Sequence, residues 1–127
     1  MSYPVLILGE SGTGKTTSLR NLSPEHCVLI QSVKKPLPFR SAGWRRYDAT
    51  TKEGNVFVTD KSEKIVRIIN GTTAHIIIID DFQYIMANEF MRRVLDKESG
   101  NAAFAKYNEI ARSVWDIINA AAQAGDV

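Results

Sequence analysis

Residues Gly9 to Thr16 read GESGTGKT, and further along a run of four isoleucines, Ile76 to Ile79, ends in two adjacent aspartates, Asp80 and Asp81. The first stretch matches G-x-x-x-x-G-K-[ST], a pattern whose residue types suit one task. Glycines at 9, 12 and 14 admit backbone conformations and close approaches that side chains block, so successive N–H groups can face phosphate oxygens. Lys15 supplies a mobile cation for the β and γ phosphates of a nucleotide, and the Thr16 hydroxyl can ligate Mg²⁺. Glu10, Ser11, Thr13 and Thr17 complete the stretch. A helix starting near Lys15 would add its positive dipole end.

A magnesium ion held in this way needs an acid at the tip of a second buried strand, and Asp80 has that position. Alone, an apolar run closed by an aspartate reads equally well as a strand stopping at a turn. Beside GESGTGKT the metal reading is the stronger. Asp81 has two readings: the acid that orients or deprotonates an attacking water, for which glutamate reaches further, or a turn and cap for the helix that follows. Gln83 is a further candidate for positioning that water.

The elements that must place these residues alternate in type. Val5 to Leu8 is a short apolar run stopped by Gly9, the pattern of a buried strand, and Lys15 to Leu22 reads as a short helix closed by Ser23 and Pro24. Cys27 to Ile30 reads as a second buried strand, and Asn55 to Thr59 as a third. Asp60 can cap a helix from Lys61 to Ile69. Ile76 to Ile79 is β-branched throughout and apolar on both faces, which predicts a central strand of a parallel sheet. Helical periodicity follows over Tyr84 to Leu95, and again after Asn101, where Phe104, Tyr107, Ile110, Ala111, Val114, Trp115 and Ile118 form one stripe. Strands alternating with helices predict an α/β layer fold.

Composition narrows the class. The 127 residues are 44% hydrophobic and 24% charged, as a single folded domain requires. A net charge of +2 gives no whole-chain drive toward nucleic acid or membrane, so any basic surface must be local. Cys27 is the sole cysteine, which excludes an internal disulfide and fits a reducing compartment. No stretch is long enough for a membrane span, and the first apolar run is too short for a signal peptide. A cytoplasmic location is expected.

The basic residues do gather in one place. The irregular stretch 32–54 contains Lys34, Lys35, Arg40, Arg45 and Arg46, interleaved with Phe39, Trp44 and Tyr47. Cations for phosphates and aromatic faces for bases are what a single-strand binder uses. A solvated loop with Trp44 tucked into the core is the competing reading. Arg92-Arg93 and Lys61-Lys64 look like ordinary helix faces.

GESGTGKTT and IIIIDD together mark a P-loop NTPase. With NVFVTD, IIIIDDFQYIMANEFMRR and FAKYNEIARSVWDIINAA, the chain from Pro4 to Ala124 resembles phage-encoded ATP-binding proteins of the AAA/RecA-like type, a group linked to recombination as single-strand annealing ATPases. The resemblance implies a mostly parallel sheet flanked by helices, with residues 1–127 as one P-loop domain, ATP and Mg²⁺ as cofactors, and a host bacterial cytoplasm. It implies Gly9 to Thr16 as the Walker A loop, Asp80 as the Walker B magnesium acid, and Lys15 with Asp81 as the catalytic pair. Two departures stand out. RecA-type enzymes place a glutamate at the end of the strand after the P-loop helix, where this chain has Gln31 and Ser32. The family's sheet also sets one more strand, following the long helix, between the P-loop strand and the magnesium-acid strand. The expected core is therefore incomplete, truncated at its C-terminal end.

These readings predict Mg²⁺-dependent ATP binding with hydrolysis coupled to DNA recombination or replication, through single-stranded DNA and a homo-oligomeric ring or filament. One alternative is a nucleotide-binding or assembly module that does not hydrolyse. Another is a small-molecule or nucleotide kinase, for which Arg92, Arg93 and Arg112 are too scattered to form a lid.

Overall fold

The run CVLIQ, apolar on both faces up to its last residue, forms strand β1, Cys27–Gln31, and all five of its residues are buried. The computed structural model describes residues 2–10 and 12–125. Two strands flank β1 in parallel. Strand β2, Val56–Val58, sets Val56 opposite Leu29, and β3, Ile76–Asp80, sets Ile76 opposite Cys27 and Asp80 opposite Gln31. The result is an α/β fold with a three-stranded parallel sheet in the order β2-β1-β3.

The central place belongs to β1 rather than to the isoleucine run. β3 lies at the edge among the described residues, and Ile76 is 40% exposed. The reason is geometric: apolar residues at successive positions report that both faces are covered, and they carry no information about a neighbour at each edge.

Alternation divides the strands between two layers. Val28, Ile30, Phe57, Ile77 and Ile79 pack against Ile65 and Ile69 of helix α1, Ser62–Gly71, with Ile85 of α2, Gln83–Arg93, and Ile117 of α3, Asn101–Gln123. On the opposite face Cys27, Leu29, Val56 and Ile78 meet Leu19, Leu37, Phe39 and Trp44. Three helices thus cover one face; a short 3-10 helix, Thr17–Asn21, and the basic excursion cover the other. Burial, and after it the carboxylate of Glu25, pushes the Cys27 thiol above its ordinary range. Alkylation of Cys27 at neutral pH is therefore expected to run at least about a hundredfold slower in the native protein than in denaturant, as mass spectrometry after iodoacetamide treatment would show.

Four further expectations change. Val5 to Leu8 is not a strand: its side chains are between 63% and 82% exposed. The Ser2 hydroxyl donates to the Ala121 carbonyl and the Thr16 hydroxyl lies against Asp80, but among the described residues no backbone hydrogen bond joins 5–8 to the sheet. Apolar sequence alone does not make a strand; a ladder partner does. The helix expected over Lys15 to Leu22 shortens to the single 3-10 turn, so it supplies no developed dipole at the loop. Asp60 does not cap α1; its carboxylate pairs with Arg92 at 2.9 Å and accepts from Asn88 at 2.9 Å, tying α2 to the end of β2.

The fourth change is the rotation of α3. Phe104, Tyr107, Trp115 and Ile118 are 73%, 55%, 60% and 46% exposed, while Lys106, Ile110, Ser113 and Ile117 are buried. A helix turns about 100° per residue, so the contact stripe has moved to the neighbouring face. The buried polar residues on that face are satisfied: Ser113 donates to the Ile110 carbonyl at 2.6 Å, and Lys106 donates to the Asp96 carbonyl at 3.0 Å while passing 5.3 Å from the Tyr107 ring centre. Their slim or flexible side chains let α3 lie close to the rest of the helical layer. Trp115→Ala is therefore expected to change stability by no more than about 0.5 kcal/mol in urea melts, despite its place in the apolar stripe.

Candidate phosphate and metal site

The loop between Gly9 and Thr16 uses its glycines for two different reasons. Gly12 and Gly14 have φ of 81° and 91°, a left-handed region that other residues enter only with strain, although a Cβ at either would meet nothing within 4 Å. At Gly9 the constraint is space, since a Cβ would stand 2.7 Å from the Thr13 hydroxyl oxygen. That hydroxyl donates to the Glu10 carbonyl at 2.7 Å and helps fix the turn. The Lys15 ammonium folds back over the loop, donating to the carbonyls of Gly9 and, at 2.8 Å, of Glu10. Ser11 lies outside the described residues, and Thr17 opens the 3-10 turn.

Thr16 and Asp80, 64 positions apart, come together: the Thr16 hydroxyl donates to the Asp80 carboxylate at 3.2 and 3.3 Å. Asp80 is the last residue of β3, and Asp81 follows with φ of 58°, a left-handed conformation that aspartate tolerates better than most residues. This turn is braced from β1. The Ser32 hydroxyl donates to the carbonyls of Asp80, at 3.1 Å, and Asp81, at 2.6 Å. Asp81 makes no side-chain cap for α2, and Gln83 opens that helix with an exposed side chain.

Lys35 closes the arrangement. Its ammonium is 2.7 Å from Asp81 Oδ2 and 3.2 Å from Asp80 Oδ2, and the Gln31 amide donates to the Lys35 carbonyl at 3.1 Å. Burial opposes the charge on Lys35, yet hydrogen bonds and attraction from Asp81 and Asp80 outweigh it and raise the ammonium above its ordinary range. A raised lysine contributes stability that is complete below the unfolded-state pKa and is lost as pH rises through the folded one. Alkaline melts should show it: the stability difference between wild type and Lys35→Met is expected to be constant at neutral pH and to vanish only above about pH 10.4, the ordinary lysine value.

The roles of Gln31, Ser32 and Lys35 at the acid pair were absent from the sequence reading. One signal was available, two polar residues ending a wholly apolar strand; nothing marked Lys35 apart from its basic neighbours.

The basic stretch divides. Trp44 is buried in the core against Leu19, Cys27, Leu29 and Val56, so it presents no face for stacking a base, and the tucked-in reading holds. Lys35 is engaged by the acids. Lys34, Arg40, Arg45 and Arg46 are exposed. A cleft of about 450 Å³ opens over the ends of β1 and β2, with Lys34, Lys35 and Arg46 on its walls and Leu37 and Trp44 among its apolar lining.

Among the described residues no three His, Cys, Asp or Glu side chains gather as a ready metal cage. The donor set is one hydroxyl and two carboxylates beside the glycine-rich loop, and it already attracts a cation in the form of Lys35. That fits a magnesium ion sharing its coordination with phosphate and water. No helix among the described residues is long and apolar enough to cross a membrane. Comparison with protein-family models, curated proteins and solved structures found no match.

Proposed function

We propose that the chain is a P-loop nucleotide-binding domain that takes ATP with Mg²⁺ and hydrolyses it in the service of phage DNA recombination or replication. The observation that carries this reading is the Thr16–Asp80 contact, because the magnesium hydroxyl and the magnesium acid named from two separate motifs lie within hydrogen-bond distance of each other. In the RecA/AAA-like order one strand stands between the P-loop strand and the magnesium-acid strand. Among the described residues β3 pairs with β1 alone, which leaves open the edge where that strand would stand.

In the proposed site the loop N–H groups and Lys15 hold the phosphates, Thr16 and Asp80 hold the metal, and Asp81 orients the attacking water. A magnesium ion bound there would supply positive charge to offset that of the nucleotide phosphates. The exposed Lys34, Arg40, Arg45 and Arg46 are the proposed contacts to single-stranded DNA, through its phosphates rather than its bases.

A second reading has an observation in its favour. Gln31, where RecA-type enzymes hold a glutamate, uses its amide to fix the loop, and Asp81 is neutralised by Lys35. Both favour a module that binds ATP without cleaving it. A kinase has no such support: Arg92 and Arg93 are committed to Asp60, Glu89 and Glu109. Phosphate release from Mg·ATP, with and without single-stranded DNA, separates the readings. DNA-stimulated release is expected; ATP binding with no release under either condition would establish the non-hydrolysing module, and absence of ATP binding would end the nucleotide reading.

A further inference from the structure

The ammonium of Lys35 stands at hydrogen-bond distance from both Asp80 and Asp81, and Asp80 is also the partner of Thr16. A divalent ion on Thr16 and Asp80 would put two positive charges beside the amine. Like charges a few ångströms apart repel, and a carboxylate oxygen that ligates a metal has less to offer a lysine. Lys35 has somewhere else to go, because it also lines the cleft over β1 and β2 with Lys34 and Arg46. Its side chain is 35% exposed, against 12% for Asp80 and 19% for Asp81, so the lysine is the mobile member of the cluster.

Resting on the nucleotide reading above, we propose that Lys35 is a tethered stand-in for the metal. It offsets one of the two charges of the Asp80–Asp81 pair until a metal–nucleotide binds, and is then displaced toward the basic cleft. The two sites are thereby coupled. Metal binding adds a cation to a cleft suited to anions, and an anion in the cleft draws Lys35 away from the acids and favours the metal, as reciprocity of binding free energies requires. Trp44 lines the same cleft and reports on the movement.

The test compares Mg·ATP with ATP in EDTA, in a Trp115→Phe background that leaves Trp44 as the indole reporter. The second tryptophan is exposed on α3 and does not line the cleft. Binding is measured by calorimetry and by Trp44 fluorescence for Lys35 and for Lys35→Met, with Lys35→Gln as a second neutral variant should methionine impair folding. The affinity for Mg·ATP divided by that for metal-free ATP isolates the metal's share. Removing the competing ammonium is expected to raise this ratio by about 1.5-fold to fivefold, the worth of a partly exposed ion pair. It should also abolish the Trp44 response to Mg·ATP seen with Lys35. A ratio that is unchanged or lower while both proteins bind Mg·ATP would overturn the proposal and leave the nucleotide reading standing. Failure of both proteins to bind ATP in any form would bring down the two together.

Discussion

Lys15→Ala is expected to weaken ATP binding by about 3 kcal/mol, roughly a hundredfold, and to leave the melting temperature within about 2 °C of wild type. The two halves of this expectation have separate physical grounds. Among the described residues the ammonium bonds to carbonyls of its own loop, those of Gly9 and Glu10, and these bonds are exposed, so its loss orphans no buried group there. On the proposed reading, with nucleotide bound, the same ammonium would be the loop's one cation beside the phosphates, and alanine puts nothing in its place. Isothermal titration with ATP, paired with thermal melts, checks both halves. A large drop in stability would mean that the loop is held by Lys15 rather than by its glycines. Undiminished ATP affinity would remove the nucleotide from this site.

What could be read from residue types was chemistry with short range and elements with strong periodicity. GESGTGKT and the terminal aspartates of the isoleucine run suggested that Thr16 and Asp80 face one proposed ion, and the structure sets the Thr16 hydroxyl 3.2 Å from the Asp80 carboxylate. β1, β3 and the three helices follow from runs and periods that a short window contains. What stayed hidden depends on a second surface. Val5 to Leu8 has the composition of a strand, but a strand is defined by its ladder, and no window of sequence shows whether a partner is in place. The α3 stripe held only in part: Ile110 and Val114 pack inward as expected, but Lys106 and Ser113 are turned inward beside them, one with a flexible stem and the other with a small hydroxyl, while Phe104 and Trp115 are turned out. Lys35 was concealed among like-charged neighbours, and only the approach of β1 to β3 makes it the counter-ion of Asp80 and Asp81.

The exchange of places between β1 and β3 has a thermodynamic consequence that decides which strand is central. Leu29→Ala is expected to destabilise the fold by about 3 to 4 kcal/mol, the cost of lost transfer energy plus a cavity that close packing cannot fill. Leu29 is fully buried and packs with Leu19, Cys27, Trp44 and Val56 on the face covered by the 3-10 turn and the basic excursion. With a strand on each side of β1, the backbone at Leu29 cannot relax toward the gap without breaking a ladder. Ile76→Ala, at the exposed start of the edge strand, is expected to cost less than about 1.5 kcal/mol, because water already covers 40% of that side chain and the outer edge is free to adjust. A small domain has a total stability of about 5 to 15 kcal/mol, so the first change removes a large share of it and the second does not. Urea titrations of the two variants would give the order directly. Equal losses, or a larger one at Ile76, would mean that the isoleucine run carries the centre of the sheet after all, with a strand seated along its outer edge in solution.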